Sequence, residues 1–198
     1  MKLKKASDVR LIPPLIDKCR IAMQDVSSNE CGIDFSRNAE RNYVSVLKCK
    51  ICSQRFCSSL ISSEIRKSLR DEIANKLYEV GYKSSNYFPD LVFHENHNQQ
   101  DLDPQKQHLI CEVKTSKYID NKAFCRDFIK LNCFLDGLNY KAAAYILVRS
   151  HKSLIEKRLK FYVEKGLFQS GRMNRDIYFL IQQDFGKEVE IYTIDDSE

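Results

Sequence analysis

Pro89-Asp90-Leu91-Val92-Phe93-His94 and His108-Leu109-Ile110-Cys111-Glu112-Val113-Lys114 are the two runs whose reading decides the fold. Both are short and apolar. The stretch between them, Asn96 to Gln107, is almost entirely polar and contains Pro104, so the pair predicts a β-hairpin with a long loop. A hairpin centred in that loop sets Asp90 across from about Val113. Side chains alternate along a strand, so Glu112 and Lys114 share a face, and one residue of register shift brings Asp90 to both.

Two carboxylates and an ammonium at one point suit metal-dependent phosphodiester hydrolysis. Mg²⁺ (or Mn²⁺) prefers oxygen ligands and is held by one or two carboxylates plus water and substrate phosphate, which fits Asp90 and Glu112, with the Val113 carbonyl as a third oxygen. Lys114 beside that metal positions the attacking water, favours its deprotonated form and offsets charge developing on the phosphorus.

Pro89, Asp90, Glu112 and Lys114 together resemble the signature of the PD-(D/E)XK nuclease superfamily. The resemblance implies an α/β fold with a restriction-endonuclease-like αβββαβ core, a mixed central sheet flanked by helices. It also implies Mg²⁺-dependent hydrolysis of nucleic acid, most simply DNA, and a helix glutamate near the metal.

The flanks supply elements in that order. Ser63 as N-cap and Gly81 as stop enclose the stripe Ile65, Leu69, Ile73, Leu77 and Val80, which predicts an amphipathic helix. Glu72 lies nearest the edge of its buried face and is the candidate helix glutamate; a solvated flank position is the competing reading. Gly81 to Phe88 reads as the first strand. Beyond Lys114, Phe124, Phe128, Leu131 and Leu135 mark a helix over 121–136 with Gly137 as its stop. Ala142 to Val148 is a continuous apolar run, which predicts a strand buried on both faces and hence a parallel crossover. Asp127 and Lys130 on the helix read most simply as a surface i, i+3 ion pair, with Lys130 on a DNA phosphate as the alternative.

Charge is concentrated after the motif. The chain is +5 overall, whereas Lys114 to Arg175 holds 14 Lys and Arg against 5 Asp and Glu. A further helix opens with a capping box at Ser153-Leu154-Ile155-Glu156 and runs to Gly166. It packs Leu154, Ile155, Leu159 and Val163 and exposes Lys152, Lys157, Arg158 and Lys160. With Lys117 and Lys130 these are the candidate nucleic-acid contacts; a solvated helix face is the plain alternative.

There are 8 cysteines. Cys49, Cys52 and Cys57, with Cys31 upstream, offer four thiolates for a structural Zn²⁺ or iron–sulfur cluster. A single CxxC and the long gap from Cys31 favour free thiols in a strand-like segment, Tyr43 to Leu47. So low a cysteine share fits a reducing, cytoplasmic setting.

With 198 residues, 43% of them apolar, the chain can form one core. Residues 1–60 read as an accessory segment in which Pro13 and Pro14 open a helix through Gln24 and Ser27 to Gly32 form a loop. Residues 61–198 form the nuclease-like domain, closing with a hairpin over Asp176–Ile181 and Val189–Ile194. No signal peptide follows Lys2 to Lys5, and no run is long enough to span a membrane. A homodimer suits an enzyme that cuts both strands of a duplex. Two other classes compete with the nuclease. A non-catalytic nucleic-acid-binding protein on the same fold predicts salt-sensitive binding without cleavage, and an interaction protein with a metal on its N-terminal cysteines predicts stoichiometric zinc or iron.

Overall fold

The two apolar runs form neighbouring antiparallel strands, β5 (Leu91–His94) and β6 (Gln107–Lys114), with Leu91 paired to Cys111 and a bulge between Phe93 and His94. The computed structural model describes residues 2–6, 12–32, 39–54, 61–62, 67–68, 86–95, 106–166 and 176–195. Continued by one residue, the register sets Asp90 opposite Glu112 rather than Val113, and the Asp90 N–H donates to the Cys111 carbonyl at 3.1 Å.

From β6 the chain enters helix α4 (Asn121–Leu138) and returns as β7 (Ala142–Val148), parallel to β6 with Glu112 beside Tyr145. Asp120 caps α4 by accepting from the Ala123 N–H at 2.7 Å. The helix runs through Gly137, the expected stop, and ends at Asn139, whose φ of +56° is one that asparagine tolerates better than most residues. Helix α5 (Lys152–Glu164) then leads to β8 (Ile177–Gln182), parallel to β7, and to β9 (Val189–Asp195), antiparallel to β8.

Two more described strands extend the sheet. Strand β1 (Lys2–Lys5) pairs with β9, and β2 (Ile61–Ser62) pairs with β5, giving the order β1-β9-β8-β7-β6-β5-β2. The architecture is therefore α/β, with an open mixed sheet between helices. Strand β7, buried along its whole length, lies within the sheet as its unbroken apolar run predicts.

Each face carries its own core. On one, Phe124, Phe128 and Phe134 of α4 and Leu159 of α5 pack against Val92, Ile110, Tyr145 and Phe179. Phe128 meets the Tyr162 ring edge-on, with centroids 5.0 Å apart, so truncation to alanine should cost about 3–5 kcal/mol. On the other face, α1 (Pro14–Gln24) and α3 (Ala39–Ser53) cover Leu91, Cys111, Val113, Ala144 and Ile146.

Several expectations are corrected here. Tyr43 to Leu47 is helical rather than strand-like. Tyr43, Val44, Leu47 and Ile51 form a buried i, i+4 stripe, and that period outweighs the β propensity of the Tyr-Val-x-Val run. Ser27 to Gly32 is a capping box and a one-turn helix, α2 (Ser28–Cys31), closed by Gly32 at φ +58°. Lys67–Ser68, within the predicted helix, is strand β3, paired with β4 (Asn86–Tyr87) outside the main sheet, so those two residues are extended rather than helical and the segment before Pro89 is not the sheet's first strand. Residues 69–85, including Glu72, lie outside the described residues. Helix α5 begins after His151 without the Ser153 capping box, and it buries Tyr162 while Val163 stays exposed.

Of the described N-terminal residues, β1 joins the sheet and α1 and α3 join the core. Within the main sheet, β2, β5 and β6 are three antiparallel neighbours between α3 and α4, with β3 and β4 intervening in the chain between β2 and β5, and β7 then returns parallel to β6.

Candidate functional site

Strand alternation sends Ile110, Glu112 and Lys114 to the face covered by α4, where the helix meets the two charged residues with charges of its own. Glu112 is 2% exposed, and its Oε2 accepts from Lys130 Nζ at 2.7 Å. Lys130 Nζ also lies 3.2 Å from Asp127 Oδ1, one helical turn back. The other Asp127 oxygen, Oδ2, is 3.4 Å from Lys114 Nζ and accepts from the Tyr145 hydroxyl at 3.4 Å. Lys114 Nζ in turn donates to Glu40 Oε1 at 2.9 Å. The result is an alternating chain of charge: Glu112, Lys130, Asp127, Lys114, Glu40.

Asp90 joins from β5. Its Oδ2 accepts from the Val113 N–H at 2.7 Å, which ties the half-buried carboxylate to the strand that carries Glu112 and Lys114. The structure therefore brings Asp90, Glu112, Val113 and Lys114 together. It adds Glu40, from the first turn of α3, and Asp127 and Lys130 from α4.

Asp127 and Lys130 are 1% and 6% exposed, so they are neither a surface pair nor a phosphate contact. Their sequence signal was their setting: the pair sits between Phe124 and Leu135 in a helix whose apolar stripe widens to bury Ile129, Asn132 and Cys133 as well. Glu40 had no such signal, since its place depends on α3 being a helix.

Burial and charge set the protonation states. Burial pushes the Glu112 carboxyl up to about 8, outweighing Lys130, with Asp90 and Asp127 adding to the rise. Burial likewise lifts Asp90 to about 6, against the Val113 N–H and Lys114. Burial also opposes ionisation of Asp127, but Lys130, Lys114 and Arg126 prevail and hold it below the usual carboxylate range. At Lys114, burial favours the neutral amine, yet Asp127 and Glu40 outweigh it and raise its pKa, so it remains an ammonium ion.

Four carboxylates thus face two lysines, with Arg126 at 3.4 Å from Asp127 at the rim. Glu112 Oε1 is buried and accepts no hydrogen bond from the described residues. A buried carboxyl oxygen without a donor, beside a second carboxylate, is a set that a hard divalent cation fits once Glu112 gives up its proton. Among the described residues no group of three or more His, Cys, Asp or Glu has metal-holding geometry, so a cation on Asp90 and Glu112 would take its other ligands from water and substrate.

The remaining candidates lie apart. Lys117 is exposed on the β6–α4 loop, and Lys157 and Lys160 are exposed on α5. Lys152 is 3.5 Å from Glu156 and 5.3 Å above the Tyr192 ring. Arg158 is engaged within the protein, donating from Nε to the Ile119 carbonyl and from Nη1 to Asn121 Oδ1, each at 2.7 Å. Cys31 is buried, and burial pushes its thiol up to about 11, away from the thiolate a metal needs. Cys49 is exposed and Cys52 half-buried on α3; Cys57 lies outside the described residues. No described helix is long and apolar enough to cross a membrane.

No protein-family model matches this chain, and neither a curated protein nor a solved structure matches it.

Proposed function

We propose that this chain is a divalent-metal-dependent nuclease with a restriction-endonuclease-like core of the PD-(D/E)XK type. The observation that carries the reading is the junction of β5 and β6, where Asp90 is hydrogen-bonded to the Val113 amide between Glu112 and Lys114, with Glu112 Oε1 buried and without a partner among the described residues. Leaving aside β3 and β4, which pair with each other outside the main sheet, the described elements α3, β2, β5, β6, α4 and β7 are compatible with the order of such a core, and Glu40 would be its helix glutamate.

Asp90 and Glu112 would hold the metal, which when bound supplies Lewis acidity and a water of lowered pKa. Glu112 must be ionised to do so. Its elevated pKa makes the empty site prefer a proton that the cation displaces, which ties metal affinity to pH. Lys114, held as an ammonium by Asp127 and Glu40, orients water and offsets charge on the scissile phosphate rather than acting as a base.

Incubation with DNA and RNA substrates, with and without Mg²⁺ or Mn²⁺, tests this reading. Cleavage that needs metal and disappears in Asp90→Ala and Lys114→Ala is the expected result. Undiminished cleavage in both variants rules out the mechanism.

One observation favours a second reading. Lys130 Nζ already sits on Glu112 Oε2, occupying an oxygen that a metal would use. A nucleic-acid-binding protein without catalysis would keep such an internal pair, and it would bind salt-sensitively without cleaving under either metal.

A further inference from the structure

Tyr118 is 90% exposed, yet the loop that carries it, between β6 and α4, is braced on both sides. Thr115 and Ile119 are buried. Ser116 Oγ accepts the Tyr118 N–H at 3.1 Å and donates to the Tyr118 carbonyl at 2.9 Å. Arg158 clamps the far side through the Ile119 carbonyl and Asn121 Oδ1. The backbone is therefore pinned while the ring is held out in water. Ser116, Lys117 and Asp120 around it are all exposed and polar, so it is not part of an apolar patch.

Tyr118 stands four residues after Lys114, and Phe88, 49% exposed, stands two residues before Asp90. Each of the two paired strands thus carries an exposed ring just outside its site residue. Beyond the loop, Asn121, Lys157, Arg158, Lys160, the half-buried Phe161 and Glu164 line a recess of about 280 Å³, in which three cations outnumber the one carboxylate, 3.9 Å from Lys160. Lys117 on the loop and Lys122 in the first turn of α4 are exposed as well. Rings that face solvent among cations form a stacking platform for unpaired bases; in a duplex the base faces are covered and offer such rings nothing.

We propose that Tyr118 stacks on an unpaired base of a single-stranded nucleic acid whose phosphates pass over Lys117 and the α5 recess. Together with Phe88 it would make a single strand, or the frayed end of a duplex, the substrate class. The link to cleavage rests on the nuclease reading above; the binding claim does not.

Fluorescence anisotropy of labelled oligothymidylate and oligouridylate, in EDTA so that nothing is cut, measures binding by the full chain beside a duplex of equal length. Single strands should bind more tightly than duplex. Tyr118→Ala should weaken single-strand binding by roughly 5- to 100-fold, Tyr118→Phe should retain it, and duplex binding should be unmoved by either. The ring touches no core, so circular dichroism should be unchanged. Wild-type affinity in Tyr118→Ala, or tighter binding of duplex, overturns the proposal. If no metal supports cleavage but Tyr118-dependent single-strand binding persists, the platform stands and the nuclease reading falls.

Discussion

Lys130 Nζ sits 2.7 Å from Glu112 Oε2 with both side chains almost wholly buried, so a strand and the helix that follows it are joined by a charge pair inside the core. Burying either charge alone is costly, and the pair is stabilising mainly relative to its own disruption. Lys130→Met should therefore destabilise the fold by about 3–5 kcal/mol above about pH 8, where Glu112 is ionised, and by less where Glu112 holds a proton, because it removes the cation shared by Glu112 and Asp127. The double variant Glu112→Gln with Lys130→Met should recover a substantial part. Urea unfolding measures both, and a near-neutral single variant would show that the pair is not buried as described.

Stability should fall as pH rises from about 4.5 to 8. The folded-state carboxyls of Glu112 and Asp90 are raised to about 8 and about 6, so across this window the folded protein binds more protons than the unfolded chain. Their stabilising contribution is complete below the unfolded values and is lost as pH passes through the folded ones. Asp127, shifted the other way, titrates below this window. The decline should be on the order of a few kcal/mol, read as melting temperature in EDTA, and should be shallower in Glu112→Gln and when Mg²⁺ is added. A melting temperature that rises from pH 5 to 8 would contradict the burial of Glu112.

The site's strands were legible because alternation is a local property: Asp90, Glu112 and Lys114 converge once the polar loop between the runs is recognised, and only the register was off by one. The helices around them were harder. Between Ala39 and Ser53 a Tyr-Val-x-Val run carries β propensity over a helical stripe, and reading the propensity alone hides Glu40. Asp127 and Lys130 are charged residues whose burial depends on partners from a distant strand, which helix periodicity does not encode. Strand β1 is Lys-Leu-Lys-Lys, with one inward apolar residue; such a lysine-rich edge resists strand addition and resembles a surface tail in sequence.

Glu40 orients Lys114 without contributing much to the fold. Its side chain is 39% exposed, so Glu40→Gln should change stability by under about 1 kcal/mol. On the nuclease reading it should nonetheless reduce metal-dependent cleavage by roughly 10-fold, by loosening the ammonium that faces the phosphate, and Glu40→Asp should restore little because the shorter arm falls short of Lys114. Single-turnover cleavage beside a melting curve separates the two effects. Equal activity in Glu40→Gln would leave Asp127 as the residue that positions Lys114.

Arg158 is the test of what holds the loop beside the site. Its Nε and Nη1 reach two separate acceptors, the Ile119 carbonyl and Asn121 Oδ1, a fork that a single lysine ammonium cannot reproduce. Arg158→Lys keeps the charge and loses the clamp, so it should cost about 1–2 kcal/mol and increase hydrogen exchange at residues 116–121. A direct phosphate contact at Arg158 predicts the opposite pattern, with stability and exchange unchanged and nucleic-acid binding weaker in proportion to salt. Hydrogen exchange and salt-dependent anisotropy on the same variant decide between brace and contact, and the two bonds already made by the guanidinium favour the brace.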